Sequence, residues 1–330
     1  MAEETAMSDR EERLAAVSAR LGRLATQGVS LAPLCTYKVG GPAALFVEAA
    51  SVAELEVITA ALDGVDVPTL VVGKGSNLLV ADAGFDGLVV RLGDVFSEIA
   101  IDETTGRARL GGAAFLPVAA RRTATLGLTG FEWAVGVPGS VGGAVRMNAG
   151  GHGSDVAANL VRVGIFDLFE GGPTHWSVAE LELAYRRSAV QSNHIVLFAE
   201  IALDEGDRAD SEAQISDIVR WRRANQPGGQ NAGSVFTNPA GDSAGRLIDT
   251  AGLKGFRLGT AEVSEKHANF IQADPGGSGD DVRRVIEAVK HRVHEAHGVH
   301  LHCENLLIGF DGVCDTNGNT DRETDSGGEP

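Results

Sequence analysis

Apolar positions recur with two different periods along the chain. Leu14, Val17, Leu21 and Leu24 stand at 3-4-3 spacing, which predicts an amphipathic helix over 9–26. Ser51 and Glu54 form the capping box of a second helix, whose stripe of Leu55, Ile58 and Leu62 stops at Gly64. Short apolar runs at 67–72, 78–82 and 88–92 read as strands, the first two joined by the turn GKGSN. Residues 97–102 and 106–112 predict a hairpin, and 114–126 a helix closed by Gly127. Further strands are expected at 161–169, 194–203, 234–236, 260–264, 269–273 and 299–310. Helices are expected at 211–225 and 280–297, the latter striped by Val282, Ile286, Val289 and Val293. The polar stretch 205–213 is the best internal boundary. Hairpins mixed with helices predict an α+β fold rather than a regular doubly wound sheet.

The 330 residues carry 43% apolar and 22% charged side chains, which excludes a wholly disordered chain and a disulfide-stapled miniprotein. The 43 glycines are near twice the usual share and point to tight turns with backbone pressed close to something. Net charge is −17, concentrated at the acid-rich ends, and the body is still acidic. That is the wrong sign for a general nucleic-acid binder. Cys35, Cys303 and Cys314 have no zinc-type pairing, which favours a reducing compartment. The acidic start lacks the apolar stretch of a signal peptide, and no apolar run is long enough to cross a bilayer, so the expectation is a cytoplasmic protein. The tail 311–330 is poor in apolar residues and is expected to be disordered.

Most nucleotide signatures fail on inspection. Gly73-Lys74-Gly75-Ser76-Asn77-Leu78 ends in Leu where a dinucleotide fingerprint needs a small residue, and Pro68 and Gly75 break a P-loop. The turn reads either as a backbone anion nest or as an ordinary hairpin turn. The segment from Gly136 to Gly153 is denser in glycine: Val137, Pro138, Gly139, Ser140 and Gly143, then Asn148, Ala149 and Gly150. Two such loops suit one elongated nucleotide lying against bare backbone. Arg186 and Arg187, in YRRS after a short helical stretch, read as an anion site or as a solvated face. Ser234 lacks the context of a hydrolase elbow. Glu304, in an apolar C-terminal strand, is either solvent-facing or functional. The histidines at 291, 294, 297, 300 and 302 lack a metal-ligand register, so no metal is expected.

Taken in order, Tyr37-Lys38-Val39-Gly40-Gly41-Pro42-Ala43, GKGSNLLV, GVPGSVGGAVRMNAG, YRRS, AGSVFTNP, AGLKGFRLGTAEVSEKHANFI and the strand bearing Glu304 resemble the UDP-N-acetylenolpyruvoylglucosamine reductases. These are flavoenzymes of peptidoglycan precursor synthesis, and the resemblance runs from about Thr36 to Gly309. It implies an FAD-binding fold of the p-cresol methylhydroxylase type in two subdomains, 31–92 and 93–206. An N-terminal segment, 1–30, precedes them, and a substrate domain, 207–310, follows. Non-covalent FAD would be held by Gly73, Lys74, Gly75, Ser76, Asn77, Leu78, Val137, Pro138, Gly139, Ser140, Gly143, Asn148, Ala149 and Gly150. The family's catalytic groups fall on Arg186, Ser234 and Glu304, and its substrate-binding positions on Arg186, Asn238, Lys266 and His267.

The implied reaction takes electrons from NADPH and reduces a UDP-sugar enolpyruvyl ether, with no nucleic-acid or membrane partner and a monomer expected. The chain departs from the family at Lys74, at His152 and at Thr237, where small or acidic, tyrosine and lysine residues are usual. Its only tyrosines, Tyr37 and Tyr185, exclude the branch with a tyrosine-bearing substrate loop.

Overall fold

The structure is a computed structural model that describes residues 2–310, with side chains from residue 9 onward. The acidic tail and Cys314 lie outside the described residues. The chain divides into two units. The first holds Met1–Ser30, Pro42–Ser76 and Asp86–Gln226, and the second Leu31–Gly41, Asn77–Phe85 and Pro227–Pro330. The polar stretch at 205–213 opens the helix Arg208–Asn225, capped by Asp207, and the chain passes to the second unit only after Gln226.

In the first unit the helix Ala2–Leu21 buries Leu14, Val17 and Leu21, as the spacing predicts. It stops short of residue 26 because Gly22 turns to φ +55 and the chain tightens into a short 3₁₀ turn carrying Leu24. The helix Val52–Leu62 is capped by Ser51, whose hydroxyl accepts the Glu54 N–H at 3.2 Å. The Glu54 carboxylate closes the box one residue earlier than usual, accepting the Ala50 N–H at 2.6 Å.

A four-stranded sheet runs Thr26–Ser30, Pro42–Ala49, Phe85–Leu92, Thr69–Val72. A second, antiparallel sheet runs Pro173–Ser177, Leu160–Asp167, His194–Ala202, Arg107–Gly111, Ile99–Asp102, and includes the expected hairpin. Its central strand reads as one apolar run because both faces are covered. Ile195, Leu197 and Phe198 join one core cluster, while Val196, Ala199 and Ile201 join another.

The second unit has its own core, built on the helix Gly279–His297. Val282, Ile286, Val289 and Val293 are all fully buried there. Ser278 caps its start through the Asp281 N–H at 3.1 Å, and Gly298 in the left-handed conformation closes its end. The helix packs on the small sheet Arg257–Leu258, Ala261–Val263, Ile271–Ala273. Leu306–Ile308 pairs in parallel with Leu78–Val80.

The long strand expected over 299–310 is thus only three residues, and 234–236 is not a strand but a single bridge, Phe236 to Cys303. The reason is a change of partner. Residues 302–304 bond to 235–237, through Thr237 N–H to His302 O at 3.0 Å and Glu304 N–H to Val235 O at 2.7 Å. Leu306 N–H then bonds to Asn77 O at 2.8 Å. The apolar run is continuous, but the ladder is broken at Glu304 and Asn305.

Candidate active site

Within the first unit the two glycine-rich loops lie against each other. A Cβ placed on Gly73 would run into the Ser140 hydroxyl, and one on Gly139 would sit 3.0 Å from the Ser76 hydroxyl. Both positions therefore need glycine for close approach, not only for turning. Ser140 is buried and held in place, because its hydroxyl accepts the Gly143 N–H at 3.3 Å at the start of the short helix Val141–Arg146. Lys74 and Pro138 are exposed, Val137 is half-buried, and Gly75 is buried. The result is a run of side-chain-poor backbone from two loops, which fits a flat cofactor with a diphosphate such as FAD. Asn77 and Leu78, at the end of the same turn, belong to the second unit.

The next predicted group gathers around Asn148, which is buried and held at φ +38. Its amide donates to Ala184 O at 3.1 Å and to Asp155 at 3.2 Å, and its oxygen accepts the Ala157 N–H at 3.1 Å. YRRS does not follow a helical stretch, as its sequence suggests. Tyr185 and Arg186 are the middle of a tight turn closed by reciprocal backbone bonds between Ala184 and Arg187, at 3.0 and 3.1 Å. Arg186 sits at φ +56, a strained conformation for a residue with a side chain. Its guanidinium donates to Gly150 O at 3.1 Å, and Ser188 Oγ donates to Arg146 O at 2.7 Å. Arg186 is thereby fixed beside Asn148, Ala149 and Gly150. The neighbouring His152, also at positive φ, meets Trp221 edge-on at 5.3 Å, and burial with the nearby Arg222 charge holds its pKa below the ordinary value.

In the second unit Ser234 and Glu304, both half-buried, are brought to one place by the Glu304 N–H to Val235 O bond. Residues that the sequence reading did not single out do much of the holding. Asn269, 4% exposed, clamps Phe236 with both amide atoms, donating to its carbonyl at 2.8 Å and accepting its N–H at 2.9 Å. Asn305 donates to Ala232 O at 3.3 Å, and Asn77, which was expected at the cofactor, donates to Glu304 O at 2.9 Å. Asn238 is exposed, and its oxygen accepts the Ala244 N–H at 3.1 Å, shaping the entry to the helix Ala244–Thr250. Lys266 is exposed. His267 is half-buried and edge-on to Phe270, and burial, then the Lys254 charge, keeps its pKa below the usual imidazole value. Thr237, where the family carries lysine, turns back onto His302. Desolvation pushes the half-buried Cys303 thiol up to about 12. Among the described residues no group of three or more His, Cys, Asp or Glu forms a metal set.

Comparison with known proteins bears on both units. Residues 43–171 match the FAD binding domain model, and residues 225–308 match the model of the UDP-N-acetylenolpyruvoylglucosamine reductase C-terminal domain. The reductase of that name from Synechococcus sp. (strain WH7803) is 41% identical over 290 residues, covering 86% of this chain and 93% of its own. The chain belongs to the UDP-N-acetylenolpyruvoylglucosamine reductase family. A relative of the same name from Heliobacterium modesticaldum is 43% identical over 281 residues, covering 84% of this chain and 88% of its own. The solved reductase of Thermus caldophilus superposes with a TM-score of 0.74 at 34% identity, covering 86% of this chain and 98% of that one. The fold is therefore the α+β flavoprotein fold of that family.

Proposed function

We propose that the chain reduces the enolpyruvyl ether of UDP-N-acetylglucosamine to UDP-N-acetylmuramate, a step in making peptidoglycan precursors. It is an FAD-dependent oxidoreductase with NADPH as reductant, and it acts on small molecules. No helix among the described residues is long and apolar enough to cross a membrane. We place the enzyme in the cytoplasm and take the monomer as its working unit, which gel filtration tests. The observation that carries the reading is the joining of Ser234 and Glu304 at the Glu304–Val235 hydrogen bond, in a chain of this family.

Gly73, Lys74, Gly75, Ser76, Val137, Pro138, Gly139, Ser140 and Gly143 would hold the FAD, with Asn148, Ala149 and Gly150 beside them. The chemistry that FAD bound there would supply is hydride transfer, from NADPH to C3 of the enolpyruvyl group. Negative charge then develops on C2 and the attached carboxylate of the substrate. Arg186, oriented by its bond to Gly150 O, stabilises that charge electrostatically. Ser234 gives its proton to C2 and is reprotonated afterwards; a hydroxyl is a weak acid, so the step depends on where the loop holds it. Glu304, in its protonated form, donates a hydrogen bond to the developing charge, while Asn238, Lys266 and His267 bind the rest of the substrate.

The test is anaerobic double mixing of the wild-type flavoprotein. NADPH is expected to bleach the flavin absorbance, and the enolpyruvyl sugar nucleotide to restore it with one product formed per flavin. Flavin that molecular oxygen reoxidises, while the sugar nucleotide does not, would identify an oxidase on the same fold instead.

A further inference from the structure

The Asn77–Asn305 pair has no part in the reaction as described, yet its two amides meet the backbone next to both proposed acid groups. Asn305 is 2% exposed, and its Nδ2 faces three acceptors: Asn77 Oδ1 at 3.0 Å, Ala232 O at 3.3 Å and Ser234 O at 3.5 Å. Asn77 returns the grip from the other side, donating from Nδ2 to Glu304 O at 2.9 Å and accepting the Leu306 N–H on its own carbonyl. The amide orientations are set by this network, since every partner of Asn305 Nδ2 is an acceptor. The backbone of Glu304 is thus held at its N–H by Val235 and at its carbonyl by Asn77. Asn305, itself held by Asn77, ties the loop two residues before Ser234 through Ala232 O, with Ser234 O a marginal third neighbour at 3.5 Å.

One atom argues against a role in packing alone. Asn305 Oδ1 is buried without a hydrogen-bond partner. An unsatisfied buried oxygen lowers stability, whereas an apolar side chain of the same shape would not. Leucine at 305 would remove that orphan oxygen; what leucine cannot supply is the donor that ties Ala232 to Asn77.

We propose that Asn305 and Asn77 are positioning residues, which fix the separation and orientation of the Ser234 and Glu304 backbones and so place the proton donor. The proposal deepens the reductase reading and rests on it. It gives the Asn77 side chain a task other than the cofactor contact that the resemblance implies. Proton transfer from a weak acid is the step most sensitive to such placement, because displacement of about 1 Å is worth about 10²-fold in rate.

Asn305→Leu removes the donor and keeps the volume. Flavin content and reduction by NADPH are expected to match the wild type, with a modest fall in melting temperature because Ala232 O and Asn77 Oδ1 lose their donor. Reoxidation by the enolpyruvyl substrate is expected to slow by about 10–100-fold, as a fall in kcat with KM nearly constant. Asn305→Gln provides a second arm: it returns a side-chain amide donor close to Ala232 O and Asn77 Oδ1, and partial recovery of the reoxidation rate lost in Asn305→Leu is expected. Equal slowing of both half-reactions, loss of flavin in both variants, or a wild-type reoxidation rate in Asn305→Leu would each overturn the positioning role. A wild-type protein that NADPH reduces but the enolpyruvyl substrate does not reoxidise overturns the underlying reductase reading, and the positioning role with it. A wild type that completes both steps beside an Asn305→Leu variant of equal rate overturns the positioning role alone.

Discussion

The two units build their sites by opposite means. In the first, Gly73 and Gly139 work by having no side chain, so that the Ser140 and Ser76 hydroxyls come close to bare backbone. In the second, the loop carrying Ser234 is gripped by the side-chain amides of Asn269 and Asn305, and the Glu304 carbonyl by that of Asn77. The difference matches the two tasks. A diphosphate and a flat ring need close approach to many N–H groups, whereas a proton donor needs one atom held to within a fraction of an ångström. In the first unit Asn148, His152, Glu182 and Arg186 carry side chains at positive φ.

The contrast can be broken most forcefully at Gly73. Gly73→Val forces a branched side chain into the Ser140 hydroxyl, which can move aside only by giving up its cap on the Gly143 N–H. Flavin released by acid from the purified variant is expected to fall to near zero, and turnover with it. Full flavin content in this variant would show that the glycine contact is not part of the cofactor cradle.

Arg186→Leu is expected to leave flavin bound. It should slow reoxidation by the enolpyruvyl substrate by about 10²–10³, the scale of losing one preorganised charge-stabilising donor. An unchanged reoxidation rate would return Arg186 to a purely structural role beside Gly150.

The smallest effect concerns stability of the second unit. The Asp281 carboxyl is lowered to about 2 by the Thr260 backbone N–H, then by Arg284 and the Thr260 hydroxyl. Because the folded value lies below the ordinary value near ~4, its contribution is complete above that value and is lost as pH falls towards 2. Asp281→Asn is expected to cost about 1 kcal/mol at neutral pH. It should also flatten the acid limb of the melting temperature between pH 4 and 2, as read by calorimetry. An acid limb identical to wild type would mean that other carboxylates set it.

What the sequence exposes follows the same division. The glycine loops are legible because a turn and a close approach leave a local mark, and the stripe ending at Val293 is legible because a helix repeats every few residues. Where the structure differs, a distant partner decides. The apolar run 299–310 promises one strand, but Glu304 bonds to Val235 while Leu306 bonds to Asn77, and no local pattern records that exchange. YRRS looks like the end of a helix until Asn148 is seen holding Ala184 and bracing the turn that lifts Arg186 to positive φ. The link between Asn77 and Asn305 spans 228 positions, and asparagines in isolation carry no signal of such a partner.

The central claim, that the second unit carries proton donation while the first holds the flavin, is tested most directly by stopped-flow absorbance of Ser234→Ala. Flavin content and the NADPH half-reaction are expected to match the wild type. Reoxidation by the enolpyruvyl sugar nucleotide is expected to fall by about 10⁴ or more, at or beyond the upper end for a positioned general acid. Equal slowing of both half-reactions, or slowing of neither, would contradict the assignment of Ser234 as the proton donor.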